Sequence, residues 1–162
     1  MSGDEPEFIQ PPNTLKNKVK YGPDGVDLDM LEKAEQIIAN LQGNYLEWVQ
    51  DDLTKLQGFY DKALATPEGE RAKVFKDLFG VAHDVKGQGG SFGYHLMTAI
   101  GNQLCRFLEG TQKTGAAELD VVKVHLDAMR LVIGQRMEGD GGKMGENLLR
   151  GLQAVVAKVA PK

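Results

Sequence analysis

The sequence predicts an all-α protein, an antiparallel up-and-down four-helix bundle with additional N- and C-terminal helical segments. From residue 27 onward, apolar residues recur at intervals of three and four, and no stretch alternates between apolar and polar residues as a half-buried strand does. The connections between the periodic segments are short, which favours an antiparallel arrangement of consecutive helices. Hydrophobic residues make up 41% of the 162 residues, enough to fill one core.

The start of the chain differs in composition from the remainder. Residues 1–26 hold four of the six prolines and end in a turn string of glycine, proline and aspartate, so we expect an irregular arm there. Residues 27–162 are interpreted as a single helical-bundle domain, with its core at residues 40–138.

The first predicted helix begins at Asp27, and its apolar stripe continues to Leu64. Gly43 is expected to break or bend it, because glycine is a poor helix former. Tyr45 and Trp48 follow the stripe at helical spacing and are interpreted as core residues.

Four further helices are predicted after this one. Thr66 and Pro67 have the residue types of an N-cap and a first helical position, so the second helix should start there and run to Gly89. Ser91 is the expected N-cap of the third helix, which loosens at residues 110–115. The stripes of the last two helices are separated by a glycine-rich loop and consist of Leu119, Val122, Leu126, Met129 and Ile133, then Leu148, Leu152, Val155 and Val159.

Charge and cysteine content limit the function classes. The chain has 19 Lys and Arg against 23 Asp and Glu, a formal net charge of −4, whereas nucleic-acid binders usually present a basic face. Nucleic acid is therefore not an expected partner. The single cysteine, Cys105, fits a reducing compartment. No apolar run approaches the roughly 18 residues of a membrane span and the acidic start lacks an export signal, so we expect a cytoplasmic protein without membrane contact.

The informative stretch surrounds His83. At about 100° per residue, the apolar residues of the second helix lie nearly opposite this histidine; they are Val74, Leu78, Val81, Ala82 and Val85. The histidine's own side carries two lysines, a phenylalanine and three glycines, namely Lys76, Phe79, Gly80, Lys86, Gly87 and Gly90. The pattern predicts an outward-facing imidazole, and all of these neighbours except Lys86 are candidate partner-binding residues.

The glycines and Lys86 favour a reactive role for His83. Each interior glycine costs a helix about 1 kcal/mol relative to alanine, so Gly80 and Gly87 indicate the close approach of another surface. A neutral imidazole has a free nitrogen that can attack an electrophilic phosphorus without a base beside it. The Lys86 ammonium, one turn further on, can offset the negative charge that arrives.

The spacing around the histidine resembles that of the histidine-containing phosphotransfer (HPt) domain of two-component phosphorelays. The family pattern A-H-x-x-K-G-x-x-x-x-x-G is matched by Ala82, His83, Lys86, Gly87 and Gly93. The resemblance covers residues 40–138 and implies a four-helix bundle with the histidine on the second helix. It also implies that His83 is phosphorylated, that Lys86 stabilises the phosphoryl group, and that Gly87 with Gly90 leaves clearance for a receiver domain.

This resemblance implies a phosphocarrier rather than an enzyme. His83 would accept a phosphoryl group from an aspartyl phosphate on the receiver domain of a hybrid histidine kinase and pass it to a response regulator. The chain would need no cofactor of its own, since Mg²⁺ comes with the receiver domain. Family members often place a polar side chain of the next helix near the imidazole. Cys105 occupies the corresponding position here, 22 residues after His83, and the nearby Gln103 and Arg106 could take this role instead.

Two alternatives stay open. The chain also resembles a phosphoacceptor module labelled directly by an ATP-dependent histidine kinase, and it could be a non-catalytic helical scaffold or homodimer in which His83 is incidental. No metal site is expected, because His83 has no second ligand at helical spacing and the acidic residues are scattered. His95 and His125 lack a comparable neighbourhood and are interpreted as helix-surface or interhelical residues.

Overall fold

The computed structural model describes residue 25 and residues 27–160, and every regular element in this part of the chain is helical. The α-helices are α1 (Leu28–Ala65), α2 (Ala72–Gly89), α3 (His95–Gly110), α4 (Ala116–Gly134) and α5 (Gly142–Val159). Short 3-10 turns, Glu68–Glu70 and Gly90–Phe92, precede α2 and α3. The all-α prediction is confirmed for these residues. The predicted arm at residues 1–26 lies, apart from Gly25, outside them.

Tertiary contacts divide the chain between Asn40 and Leu41. In the first part, residues 28–40 are the opening turns of α1 and carry exposed apolar side chains. The second part contains the buried core. No helix in the described part of the chain is both long enough and apolar enough to cross a membrane.

The core of the second part receives side chains from all five helices. The α2 stripe expected from the spacing is buried throughout and consists of Val74, Leu78, Val81, Ala82 and Val85. α3 and α4 supply most of the remainder, whereas α5 contributes Leu152 and several partly buried side chains. Because this stripe faces inward, the opposite side of α2 is left towards solvent.

A helix break at Gly43 and a core position for Trp48 were both wrong. The helix continues through Gly43, because one glycine costs about 1 kcal/mol and ending the helix would leave several carbonyls without partners. Tyr45 is fully buried as expected, but Trp48 keeps 44% of its surface exposed. Trp48 lies at the edge of the stripe with its ring edge-on to Phe92, at a centroid distance of 5.8 Å.

Two predicted helix starts were also misplaced. The Thr66 hydroxyl donates to the Lys62 carbonyl at 2.6 Å, so it serves the end of α1 rather than the start of α2. Ser91 lies in the 3-10 turn and does not cap α3, which begins after Tyr94. The reason is the left-handed backbone of Gly93 (φ 85°), which redirects the chain before the next helix can form.

Candidate functional site

His83 lies on the exposed side of α2, as the spacing predicts. The residue is exposed, whereas Ala82 and Val85 on the inner side are buried. Its ring approaches the half-buried ring of Phe79, one turn earlier, with a centroid distance of 6.0 Å and an interplanar angle of 38°. The imidazole is therefore exposed to solvent on α2, whose opposite side packs in the core.

Gly80 and Gly87 flank His83 on this outward side. Both are exposed, and a β-carbon added at either position would meet no atom within 4 Å. Neither glycine is required by packing within the described chain. Their absent side chains leave bare helix backbone on both sides of the imidazole, which a second molecule could approach closely.

Gly90 has a different environment from these two glycines. It lies in the 3-10 turn after α2, and its N–H donates to the Thr98 hydroxyl at 2.8 Å. A β-carbon at Gly90 would lie 3.5 Å from both the His95 Nδ1 atom and the Thr98 hydroxyl. A side chain at Gly90 would therefore meet His95 and Thr98 of α3 rather than open space.

A shallow groove of about 600 Å³ runs beside His83, between α1 and α2. It brings three of the predicted partner-binding residues, Lys76, Phe79 and Gly80, together with His83. Its other wall includes Lys55 and Phe59 of α1, which the sequence analysis did not single out. Their membership depends on which side of α1 faces α2, and the sequence carries no direct signal for this.

The groove mixes charges of both signs. Lys55 and Lys76 stand against Asp77 and Asp84. Lys55 Nζ also lies 3.5 Å from a carboxylate oxygen of Asp52, which is 8% exposed. Burial raises the pKa of Asp52, the Lys55 ammonium opposes this, and the nearby Asp84 carboxylate adds to the rise. The groove therefore combines apolar side chains with charges of both signs and is not a basic pocket.

Lys86 is held by contacts between α2 and α3. Its carbonyl accepts a hydrogen bond from the Thr98 hydroxyl at 2.9 Å. A β-carbon at Gly101 would lie 3.0 Å from the Lys86 nitrogen and 3.1 Å from its Cα, so Gly101 allows α3 to touch the α2 backbone there. This close contact fixes the turn of α2 that follows His83 and carries the half-buried Lys86.

Gly89 completes the contact between the two helices. A β-carbon there would lie 2.8 Å from the Tyr94 carbonyl oxygen and from the Thr98 hydroxyl, distances that atoms cannot keep. The Gly89 carbonyl also accepts the Tyr94 N–H at 2.8 Å. The sequence analysis did not identify Gly89, Thr98 and Gly101 as residues that position the site. A glycine or threonine within a helix gives no sequence signal for the residues that it contacts in the folded chain.

Cys105, Gln103 and Arg106 of α3 were the candidates for a polar side chain near the imidazole. Cys105 is 3% exposed, and burial raises the pKa of its thiol while the Lys86 ammonium opposes the rise, so the thiol stays protonated. The Gln103 amide donates to the Leu149 carbonyl of α5 at 3.2 Å. Arg106 lines a cavity that α5 residues share. Gln103 and Arg106 thus lie on the α5 side of α3.

The other two histidines have different surroundings. His125 is fully buried in α4, with Nδ1 2.7 Å from the Val121 carbonyl oxygen. Because a carbonyl can only accept, Nδ1 carries the proton, and burial lowers the pKa of this imidazole. His95 is exposed at the start of α3 but packs its ring towards Gly90. Only His83, of the three, stands on open helix backbone.

Comparison of the chain with protein-family models, with curated proteins and with solved structures gave no significant match. Within the described residues, no group of three or more His, Cys, Asp or Glu side chains is arranged to hold a metal ion.

Proposed function

We propose that this chain is a histidine phosphocarrier of a two-component phosphorelay, with His83 as the phosphoacceptor. The observation that carries the proposal is an exposed imidazole between two helical glycines whose outward space is open. In this interpretation, residues 41–65 of α1 and helices α2, α3 and α4 form an antiparallel up-and-down four-helix bundle. The opening turns of α1 and the whole of α5 are additions to it.

The proposed transfer needs little from the carrier itself. A neutral His83 nitrogen uses its lone pair to attack the phosphorus of an aspartyl phosphate on the donor receiver domain. The N–P bond forms, the P–O bond to the aspartate breaks, and the carboxylate remains on the donor. The second transfer runs the same exchange in reverse onto the aspartate of a response regulator. The Lys86 ammonium offsets charge on the phosphoryl oxygens, and Mg²⁺ comes with each receiver domain.

The surroundings of His83 suit a transient protein partner. A receiver domain must bring its aspartate to within reach of the imidazole, and side chains at positions 80 and 87 would stand in its way. Phe59 and Phe79 line the groove and offer apolar surface, and Lys55 and Lys76 line it as well. Protein interfaces commonly combine apolar and charged side chains in this way.

The proposal is tested by phosphotransfer from a receiver domain that carries radiolabelled aspartyl phosphate. We expect the wild-type chain to acquire an acid-labile label and His83→Gln to acquire none, because glutamine has no nucleophilic nitrogen. His95→Gln is the matched control, since it removes another exposed imidazole and should be labelled normally. Circular dichroism should show equal helix content in all three proteins. Full labelling of His83→Gln would contradict the proposal.

The same assay separates the alternatives. Labelling of His83 by an ATP-dependent histidine kinase in the absence of any receiver domain would favour the directly phosphorylated module. A chain that no receiver domain or kinase of its organism labels would be a scaffold. Profiling against all receiver domains of that organism identifies the donor and the acceptor.

A further inference from the structure

A cavity lies between the C-terminal halves of α3 and α5. The first half of α5 contacts α3, since a β-carbon at Gly145 would lie 3.3 Å from the Leu96 side chain and the Leu149 carbonyl accepts the Gln103 amide at 3.2 Å. Further along both helices, the space between them has a volume of about 470 Å³. Small-molecule sites commonly measure roughly 300–1,000 Å³ and occur between the helices of bundles. The cavity therefore has the size and position of a ligand site.

The walls of the cavity combine apolar surface with a few polar groups. Phe107 of α3, which is buried, and Val156 of α5, which is half-buried, both line it. The remaining lining residues are Gln103, Arg106, Gly110, Thr111, Gln153 and Ala160. A ligand that fits these walls needs a largely apolar body and polar groups at defined places.

Arg106 determines the charge of the ligand. Of the described residues that line the cavity, Arg106 alone is charged. None of the ion pairs within residues 27–160 includes it. A guanidinium presents a planar fork of N–H donors that matches a carboxylate. Because one cation does not balance the several charges of a nucleoside di- or triphosphate, the site favours an acid with a single carboxylate.

Gln103 supplies a second polar group, one helical turn before Arg106. Its Nε2 atom donates to the Leu149 carbonyl, whereas its Oε1 atom is buried and has no hydrogen-bond partner within the described residues. A buried acceptor without a partner is unfavourable, and an N–H group of a ligand would satisfy it. Residues three apart on a helix are neighbours on its surface. The ligand's donor must therefore lie close to its carboxylate.

We propose that this cavity binds a small N-acyl amino acid. In such a molecule a single carbon separates the amide N–H from the carboxylate, so the N–H reaches Gln103 Oε1 when the carboxylate meets Arg106. The acyl chain then lies along Phe107 and Val156. The proposed phosphotransfer uses none of these four residues, so the site is additional to it.

The site is tested by titrating the full chain with N-octanoylglycine, followed by calorimetry and by NMR of the nitrogen-15-labelled protein. We expect a dissociation constant on the order of 0.1–1 mM for so small a compound, with large shifts at the side-chain amides of Gln103 and Gln153. Two analogues test the polar groups without altering the protein: N-octanoyl-N-methylglycine lacks the N–H, and N-octanoylglycinamide lacks the charge. Each should bind at least tenfold more weakly. An analogue that binds as tightly as N-octanoylglycine would contradict the proposal, because the polar group that it lacks would then contribute nothing.

A substitution in the protein tests the same contact from the other side. Arg106→Gln removes the charge and should weaken the binding of N-octanoylglycine at least tenfold. Arg130→Gln is the matched control, because Arg130 is also an exposed helical arginine but belongs to α4 and does not line the cavity. It should bind like the wild type, and so should His83→Gln, which makes the result independent of the phosphocarrier proposal. A wild-type chain without measurable binding, or an Arg106→Gln chain with unchanged binding, would overturn the proposal.

Discussion

Helix α2 carries glycines on two sides, and their surroundings are opposite. On the outward side, Gly80 and Gly87 flank His83, and a side chain there would meet open space. On the inward side, Gly89 is pressed against the Tyr94 carbonyl and Thr98. All three carry the same intrinsic cost in a helix. Packing within the chain therefore requires a glycine at position 89 but not at positions 80 and 87, where the proposed function supplies a different reason.

The strongest test of this contrast is a pair of alanine substitutions two residues apart. Gly89→Ala should lower the free energy of unfolding by about 1–3 kcal/mol, because backbone atoms of α3 must move to admit the methyl group. Gly87→Ala should raise it by up to about 1 kcal/mol, because alanine is the better helix former and its β-carbon has room. Urea unfolding of both variants measures the two changes. Equal shifts of the same sign would contradict the distinction.

Enlarging the outward glycine should affect function instead of stability. Gly87→Leu places a branched side chain beside His83, in the space where a receiver domain would approach. We expect the rate of phosphotransfer to fall about tenfold, a barrier increase of about 1.4 kcal/mol, with no loss of thermal stability. The phosphotransfer rate is measured by quenching the reaction with a labelled receiver domain at successive times.

Gly151→Leu is the matched control for this substitution. Gly151 also lies in a helix, is exposed, and has nothing within 4 Å of an added β-carbon, but it belongs to α5. Its phosphotransfer rate should match that of the wild type. An unimpaired Gly87→Leu would show that no partner approaches the outward glycines.

The sequence predicted which side of α2 faces solvent and which side is buried, but not the close backbone contacts that α2 makes with α3. Helical spacing alone places His83 opposite the buried stripe, because the periodicity of an amphipathic helix separates core from solvent. The resemblance to the HPt pattern rests on that same side. By contrast, the contacts of Gly89 and Gly101 depend on how closely α3 packs on α2, which is a property of two helices together.

The predicted helix starts were wrong for a related reason. Ser91 has the residue type of an N-cap, yet the left-handed Gly93 moves the start of α3 to His95. Trp48 has core spacing, yet it is 44% exposed, whereas Tyr45 is fully buried. Local residue preferences thus identify the helices correctly but leave their ends and edges to packing. Lys55 and Phe59 line the groove beside His83 because of how α1 packs beside α2, which the sequence does not show.

His83 and His125 have opposite environments. His83 meets solvent on α2, whereas His125 is enclosed in α4 and donates from Nδ1 to the Val121 carbonyl. Its Nε2 atom has no hydrogen-bond partner within the described residues. A charged His125 would place a second N–H in this apolar interior without an acceptor, which explains why burial lowers its pKa.

The lowered pKa of His125 predicts a modest pH dependence of folding. The unfolded chain takes up a proton near the ordinary histidine pKa of 6.5, whereas the folded chain resists it. Stability should therefore be complete above pH 6.5 and should fall as the pH drops below it, since the unfolded state then binds more protons. His125→Leu should flatten this fall, and His95→Leu should follow the wild-type curve. Urea unfolding between pH 8 and about pH 5, where most carboxylates remain charged, measures the slope. A wild-type slope in His125→Leu would show that another group carries the pH dependence.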